Sequence, residues 1–138
     1  MFVLNNLELQ PTYTSQPSNP SSVEEGQDLI LQWNYNLAGQ SNFLTRILNI
    51  TGGELGAPNV ATRQNDDNAT VDAGYENLFR ATINNTQATL TILAVPKSIH
   101  GEIYQLLILT SSPNFFNLPA DPVEISVLCK YAVSFLKT

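Results

Sequence analysis

The residues that could carry chemistry are few and far apart. His100 is the only histidine and Cys129 the only cysteine among 138 residues. With no second histidine and a distant thiol, no N/S cluster of zinc-ligand spacing can be assembled. The same shortage leaves no Ser-His-Asp arrangement, and His100 itself reads as a loop residue. Glu24 and Glu25 stand in a turn and not in a pocket where paired carboxylates could exchange protons. Asp66, Asp67 and Asp121 lack the alternating oxygen ligands and closing glutamate of a calcium loop, and read as solvated turns. Thr51-Gly-Gly-Glu54 is too short for a phosphate loop. The chain is therefore expected to be no enzyme and to need no metal or cofactor.

One kind of chemistry is written more plainly. Asn49-Ile-Thr51, Asn68-Ala-Thr70 and Asn84-Asn-Thr86 each match the acceptor pattern for N-glycosylation. Asn68 and Asn84 fall in expected turns, where a glycan is accessible, whereas Asn49 closes an expected strand. Cys129 cannot form an internal disulfide, so it is either an inert thiol or the partner of a cysteine outside this segment.

The elements that hold these residues are short strands. Hydrophobic residues make up 43% of the chain and charged ones only 13%, a balance that excludes disorder and leaves the surface to Asn, Thr, Ser and Gln. A formal charge of −6 with six scattered Lys and Arg offers no stripe for nucleic acid. No segment approaches the roughly 20 apolar residues that span a bilayer. Met1 to Leu4 are stopped by Asn5 and Asn6, so they are no signal peptide. In a secreted protein the signal would have been removed and Met1 would be an expression artefact.

Runs rich in β-branched and apolar residues recur between turn signals: Leu7–Tyr13, Asp28–Tyr35, Asn42–Ile50, Asn59–Gln64, Asn77–Ile83, Gln87–Leu93, Glu102–Thr110 and Pro122–Leu128. Gln16–Ser22 reads as an irregular crossing. Eight or nine short strands without crossover helices predict an all-β antiparallel sandwich. Residues 1–128 form one domain in this reading. Residues 129–138, with Tyr131, Val133 and Phe135 alternating, extend the last strand or lead into a further domain.

Three segments in order resemble an immunoglobulin domain. Val23-Glu-Glu-Gly26 leads into Asp28-Leu-Ile-Leu-Gln-Trp33 as strand B opens. Leu90-Thr-Ile92-Leu-Ala-Val95 is similar to strand E, and Gly101-Glu-Ile-Tyr104-Gln-Leu106 resembles the tyrosine corner that starts strand F. The resemblance covers about residues 20–128. It implies that the Tyr104 hydroxyl bonds back to the backbone, and that Trp33 and Leu106 occupy the two vacated cysteine positions, facing one another across the core. Their separation of 73 positions suits the variable type. The tryptophan usual on strand C is missing, and Phe43, Leu44 and Ile47 stand in that run. Ile99 or His100 replaces the acid that would pair with Arg80.

More narrowly, the sequence resembles the cysteine-poor variable-type domains of cnidarian cell-surface proteins, including hydroid allorecognition receptors. The resemblance implies a membrane-distal domain that binds its own kind on an opposing cell. Along strand F, Tyr104, Leu106 and Ile108 should point inward, which puts Gln105, Leu107 and Leu109 on the outer face. Phe115 and Phe116 sit near the tip of the next loop. With Phe43, these residues form the expected partner interface. Two alternatives stay open: the phenylalanines fold back as a plug, or Leu128 and the tail cover the leucines. At the level of function, a receptor for a foreign protein or glycan and a structural spacer also remain.

Overall fold

Alternation decides which way each strand faces, and the second half of Asp28–Tyr35 shows it plainly. Leu31, Trp33 and Tyr35 are buried while Ile30 and Gln32, which alternate with them, are exposed. A computed structural model describes residues 10–129; the expected tail alternation at Tyr131, Val133 and Phe135 and the start of the Leu7–Tyr13 run lie outside them.

Among the described residues there are eleven strands: β1 Thr12–Ser15, β2 Ser21–Glu24, β3 Leu29–Asn36, β4 Asn42–Asn49, β5 Asn59–Gln64, β6 Thr70–Val71, β7 Phe79–Ile83, β8 Gln87–Ile92, β9 Ile103–Ser112, β10 Phe116–Pro119 and β11 Val123–Leu128. One sheet has the order β1-β3-β8-β7, and the other runs β2-β11-β9-β4-β5-β6 with β10 also paired to β9. Of the stretch expected to be irregular, Gln16–Ser22, residues 16–20 carry the chain from one sheet to the other, but Ser21 and Ser22 already belong to β2, where the β11 edge offers a parallel partner.

The core is the space between the sheets. Leu31, Trp33, Leu90 and Ile92 enter it from one side and Ile47, Leu106, Ile108 and Ile125 from the other, none more than 1% exposed. Trp33 and Leu106 belong to one core cluster and come from opposite sheets. A buried indole here has a cost: among the described residues its Nε1–H finds no acceptor. An unmet donor of this kind typically costs about 1–3 kcal/mol.

The turn into β9 departs from expectation. A short 3-10 helix, Lys97–Ile99, ends at Gly101, whose φ of +85° suits a residue without Cβ and whose N–H reaches the Ile125 carbonyl. The Tyr104 hydroxyl donates to the Glu102 carboxylate and not to the backbone. Arg80 donates to the carbonyls of Glu76 and Phe79 and not to a carboxylate. His100 accepts the Val127 N–H at Nδ1 and so ties the corner to β11.

Two outcomes follow from this packing. Trp33→Ala should destabilise the domain by roughly 3–5 kcal/mol in urea unfolding, whereas Trp33→Phe, which also removes the unmet N–H, should cost less. Burial raises the pKa values of Tyr13, Tyr35 and Tyr104 above the ordinary phenol value. The fold thus favours the protonated phenol; that stabilisation is complete below pH ~10 and is lost as pH rises toward the native values. Phenolate absorbance from these three should appear only with the loss of β-sheet signal. Smooth ionisation near pH ~10 in a folded domain would contradict their burial.

Candidate functional site

The exposed aromatic on the β9–β10 hairpin is held from below. Thr110 donates its hydroxyl to the Asn114 carbonyl (2.9 Å) and accepts the Phe116 N–H (3.0 Å). The Gln40 side chain accepts the Asn114 N–H, and the Ser41 N–H reaches the Ser112 carbonyl. The β3–β4 loop therefore props the hairpin, which sets Phe115 in solvent at 73% exposure. Phe116 is half-buried on β10 opposite Thr110.

Beside Phe115 the sheet surface dips into a concavity of about 480 Å³. Leu44 and Gln64 wall one side, Leu109 and Ser111 the other, and Asn65 closes one end. Asn65 adopts φ +49° and clamps Phe43 twice, donating its N–H to that carbonyl and accepting that N–H at Oδ1, each at 2.8 Å. None of the lining side chains titrates near neutral pH. The site can bind, but it has no group of its own to move a proton.

The concavity continues onto the outer face of β4 and β9. Outward positions hold Leu44, Arg46 and Leu48 on β4, in register with Leu109, Leu107 and Gln105 on β9. No carboxylate is among them. Arg46 is the one charge, and its Nε–H donates to Asn59 (2.9 Å).

Two residues expected on this face are not displayed. Phe43 is 6% exposed and belongs to the core, because it shares the inward parity of Thr45 and Ile47; only its edge reaches the concavity. Gln105 has the expected parity but is 5% exposed, its amide donating to the Ala120 carbonyl (2.8 Å). Leu107 and Leu109 are half-buried, so their surface is partial. Of the expected set, Phe115 is the side chain most open to solvent.

Asn68 and Asn84 are exposed and Asn49 is half-buried. Cys129 is half-buried with a free thiol. Among the described residues no three His, Cys, Asp or Glu side chains gather where a metal could sit.

Sequence reasoning missed Arg63. It points inward from β5 at 6% exposure. Its guanidinium donates to the Asp67 carbonyl (2.8 Å) and to Asn85 Oδ1 (2.9 Å), lies 5.6 Å from the Phe43 ring centre, and approaches Asp66 at 3.6 Å. One cation thereby joins the β5–β6 turn to the β7–β8 turn. Its signal was an arginine at inward parity, two places after buried Ala61.

No family model matches the sequence, and no curated protein does. Solved structures match in fold. Murine CRIg superposes with a TM-score of 0.68 at 16% identity, over 86% of this chain and 98% of its own. A chain from a structure on T cell specificity and activation by the superantigen toxic shock syndrome toxin-1 gives 0.68 at 15%, over 86% and 100%. A chicken TCR gives 0.67 at 13%, over 88% and 51%. With one cysteine in the sequence and two sheets arranged as in these proteins, the chain is an immunoglobulin-like, variable-type sandwich that closes without an internal disulfide.

Proposed function

We propose that this is an extracellular recognition domain of a cell-surface receptor, and that it binds another copy of itself on an opposing cell. Residues 1–128 form the binding unit in this reading, and residues 129–138 lead toward the rest of the ectodomain. Association uses the outer face of β4 and β9 together with the β9–β10 hairpin. One observation carries the reading: Phe115, braced from below and 73% exposed, stands beside an uncharged concavity lined by leucine, amide and hydroxyl groups. Exposed aromatics next to a shaped hollow are typical anchors of protein interfaces. The narrower role, discrimination of self from non-self, rests on the sequence resemblance to hydroid allorecognition receptors.

A second reading has its own support. The amides of Asn42, Gln64 and Asn65 edge the concavity and could hold the hydroxyls of a foreign glycan.

Beads coated with the full ectodomain decide between the two. The proposal expects beads to clump alone or to bind matched beads. It also expects Phe115→Ser to weaken clumping at least about tenfold, as loss of an interface anchor does. Leu55→Ser, at a still more exposed apolar residue on the distant β4–β5 loop, should leave clumping unchanged. Beads that ignore one another but bind an immobilised glycan would favour the second reading.

A further inference from the structure

The two turns joined by Arg63 each carry a glycosylation sequon, and the third sequon is built differently. We infer that Asn68 and Asn84 both bear N-linked glycans and that Asn49 does not. The inference shares one premise with the proposed function, namely that the domain passes through the secretory route.

Asn84 is the better resolved acceptor. Its Oδ1 accepts the Thr86 N–H (2.9 Å), the Thr86 hydroxyl (3.2 Å) and the Gln87 N–H (2.8 Å). The residue is exposed at the tip of the turn, and no hydrogen bond from its Nδ2 is seen among the described residues. Tyr35 secures the same turn by donating its hydroxyl to the Asn84 carbonyl (2.7 Å). Asn68 is exposed at the end of the β5–β6 turn, whose Asp67 carbonyl is held by Arg63. Neither side chain contributes to the core, so a glycan at either site displaces only water.

Asn49 is knitted into the sheet instead. It is the last residue of β4, in register with Tyr104, and its own N–H pairs with the Pro58 carbonyl. Its Oδ1 accepts the Thr51 N–H (3.1 Å) and hydroxyl much as Asn84 does with Thr86, but Asn49 is half-buried and the Thr51 hydroxyl is also tied to the Ile103 N–H (3.0 Å). A bulky substituent here would compete with the join between β4 and β9.

The chemistry is a simple transfer. Asn Nδ2 bonds to C1 of the first sugar of a lipid-pyrophosphate-linked oligosaccharide. The C1–oxygen bond to pyrophosphate breaks, Nδ2 gives up a proton, and the lipid pyrophosphate leaves.

The placement has a spatial consequence. The Asn84 turn joins β7 to β8 in the four-stranded sheet, and the Asn68 turn leads to the β6 edge of the other sheet. Phe115 belongs to the β9–β10 hairpin, on the far side of β4 and β5 from β6. The two glycans therefore project from neighbouring turns at this end of the sandwich, the Asn68 glycan three residues along the chain from Asn65 of the concavity.

The test is site mapping on the full chain, secreted from animal cells behind a supplied leader. Release of the glycans by peptide-N-glycosidase in heavy-oxygen water should convert Asn68 and Asn84 to labelled Asp and leave Asn49 unlabelled. Asn68→Asp and Asn84→Asp should each remove one step of electrophoretic mobility, and the second variant retains the Oδ1 acceptor that the turn needs. An unlabelled Asn68 or Asn84, or a labelled Asn49, overturns the inference. Because the leader is supplied, a secreted domain without these glycans that still clumps on beads would sink this inference and leave the recognition proposal standing.

Discussion

Nothing covalent joins the two sheets within this domain, so their spacing is set by the side chains that fill the gap. A disulfide stabilises chiefly by restricting the unfolded chain. Apolar packing acts on the native state, through area removed from water and close contact. The two devices are not equivalent. A bridge tolerates a loose neighbourhood, whereas Trp33 and Leu106 hold the sheets only if Leu31, Ile47, Leu90, Ile108 and Ile125 pack tightly around them. Their complete burial shows that they do. The unmet Trp33 N–H shows that the solution favours volume over polar satisfaction.

A sandwich closed by packing alone is weakest at its ends, where strands part and backbone carbonyls lose ladder partners. Long polar side chains cover those points here. Tyr13 donates to the Leu118 carbonyl, Tyr35 to the Asn84 carbonyl and Gln105 to the Ala120 carbonyl. Arg63 does the same at the loop end with a full charge. A buried guanidinium is tolerable because its N–H groups find a carbonyl and an amide oxygen and because the Phe43 ring lies close by. Tyr35 and Arg63 brace the end of the sandwich from which the β9–β10 hairpin presents Phe115, whereas Gln105 acts toward the other end of β9.

Strands with strict alternation were legible in the sequence: β3, β8 and β9 read correctly to within a residue or two, and so did their inward faces. What escaped has local causes. β2, β6 and β10 are four residues or fewer, and each exists because a longer neighbour offers an edge, which no local pattern records. Phe43 faces inward by plain alternation with Thr45 and Ile47, a parity that the interface reading overlooked. Gln105 has the right parity but is enclosed by the bond it makes. Arg63 was passed over because a charge at an inward position looks like an error until its partners, four and twenty-two residues away, are brought together. Tyr104 took its acceptor from Glu102, two positions before it, where family habit pointed to the backbone.

Charge distribution is the last constraint on what the outer face can meet. A chain of formal charge −6 repels its own copies at long range, and contact must occur where that repulsion is smallest. In a two-fold assembly each group near the axis approaches its own image, so a carboxylate there would face a carboxylate. The outward positions of β4 and β9 have none. They offer leucines, an amide already engaged, and one arginine tied to Asn59. Phe115, being neutral and aromatic, can sit near such an axis without penalty, whereas Arg46 must lie off it. A self-binding geometry is therefore restricted to arrangements that centre on the hairpin side of the face and keep Arg46 toward the rim.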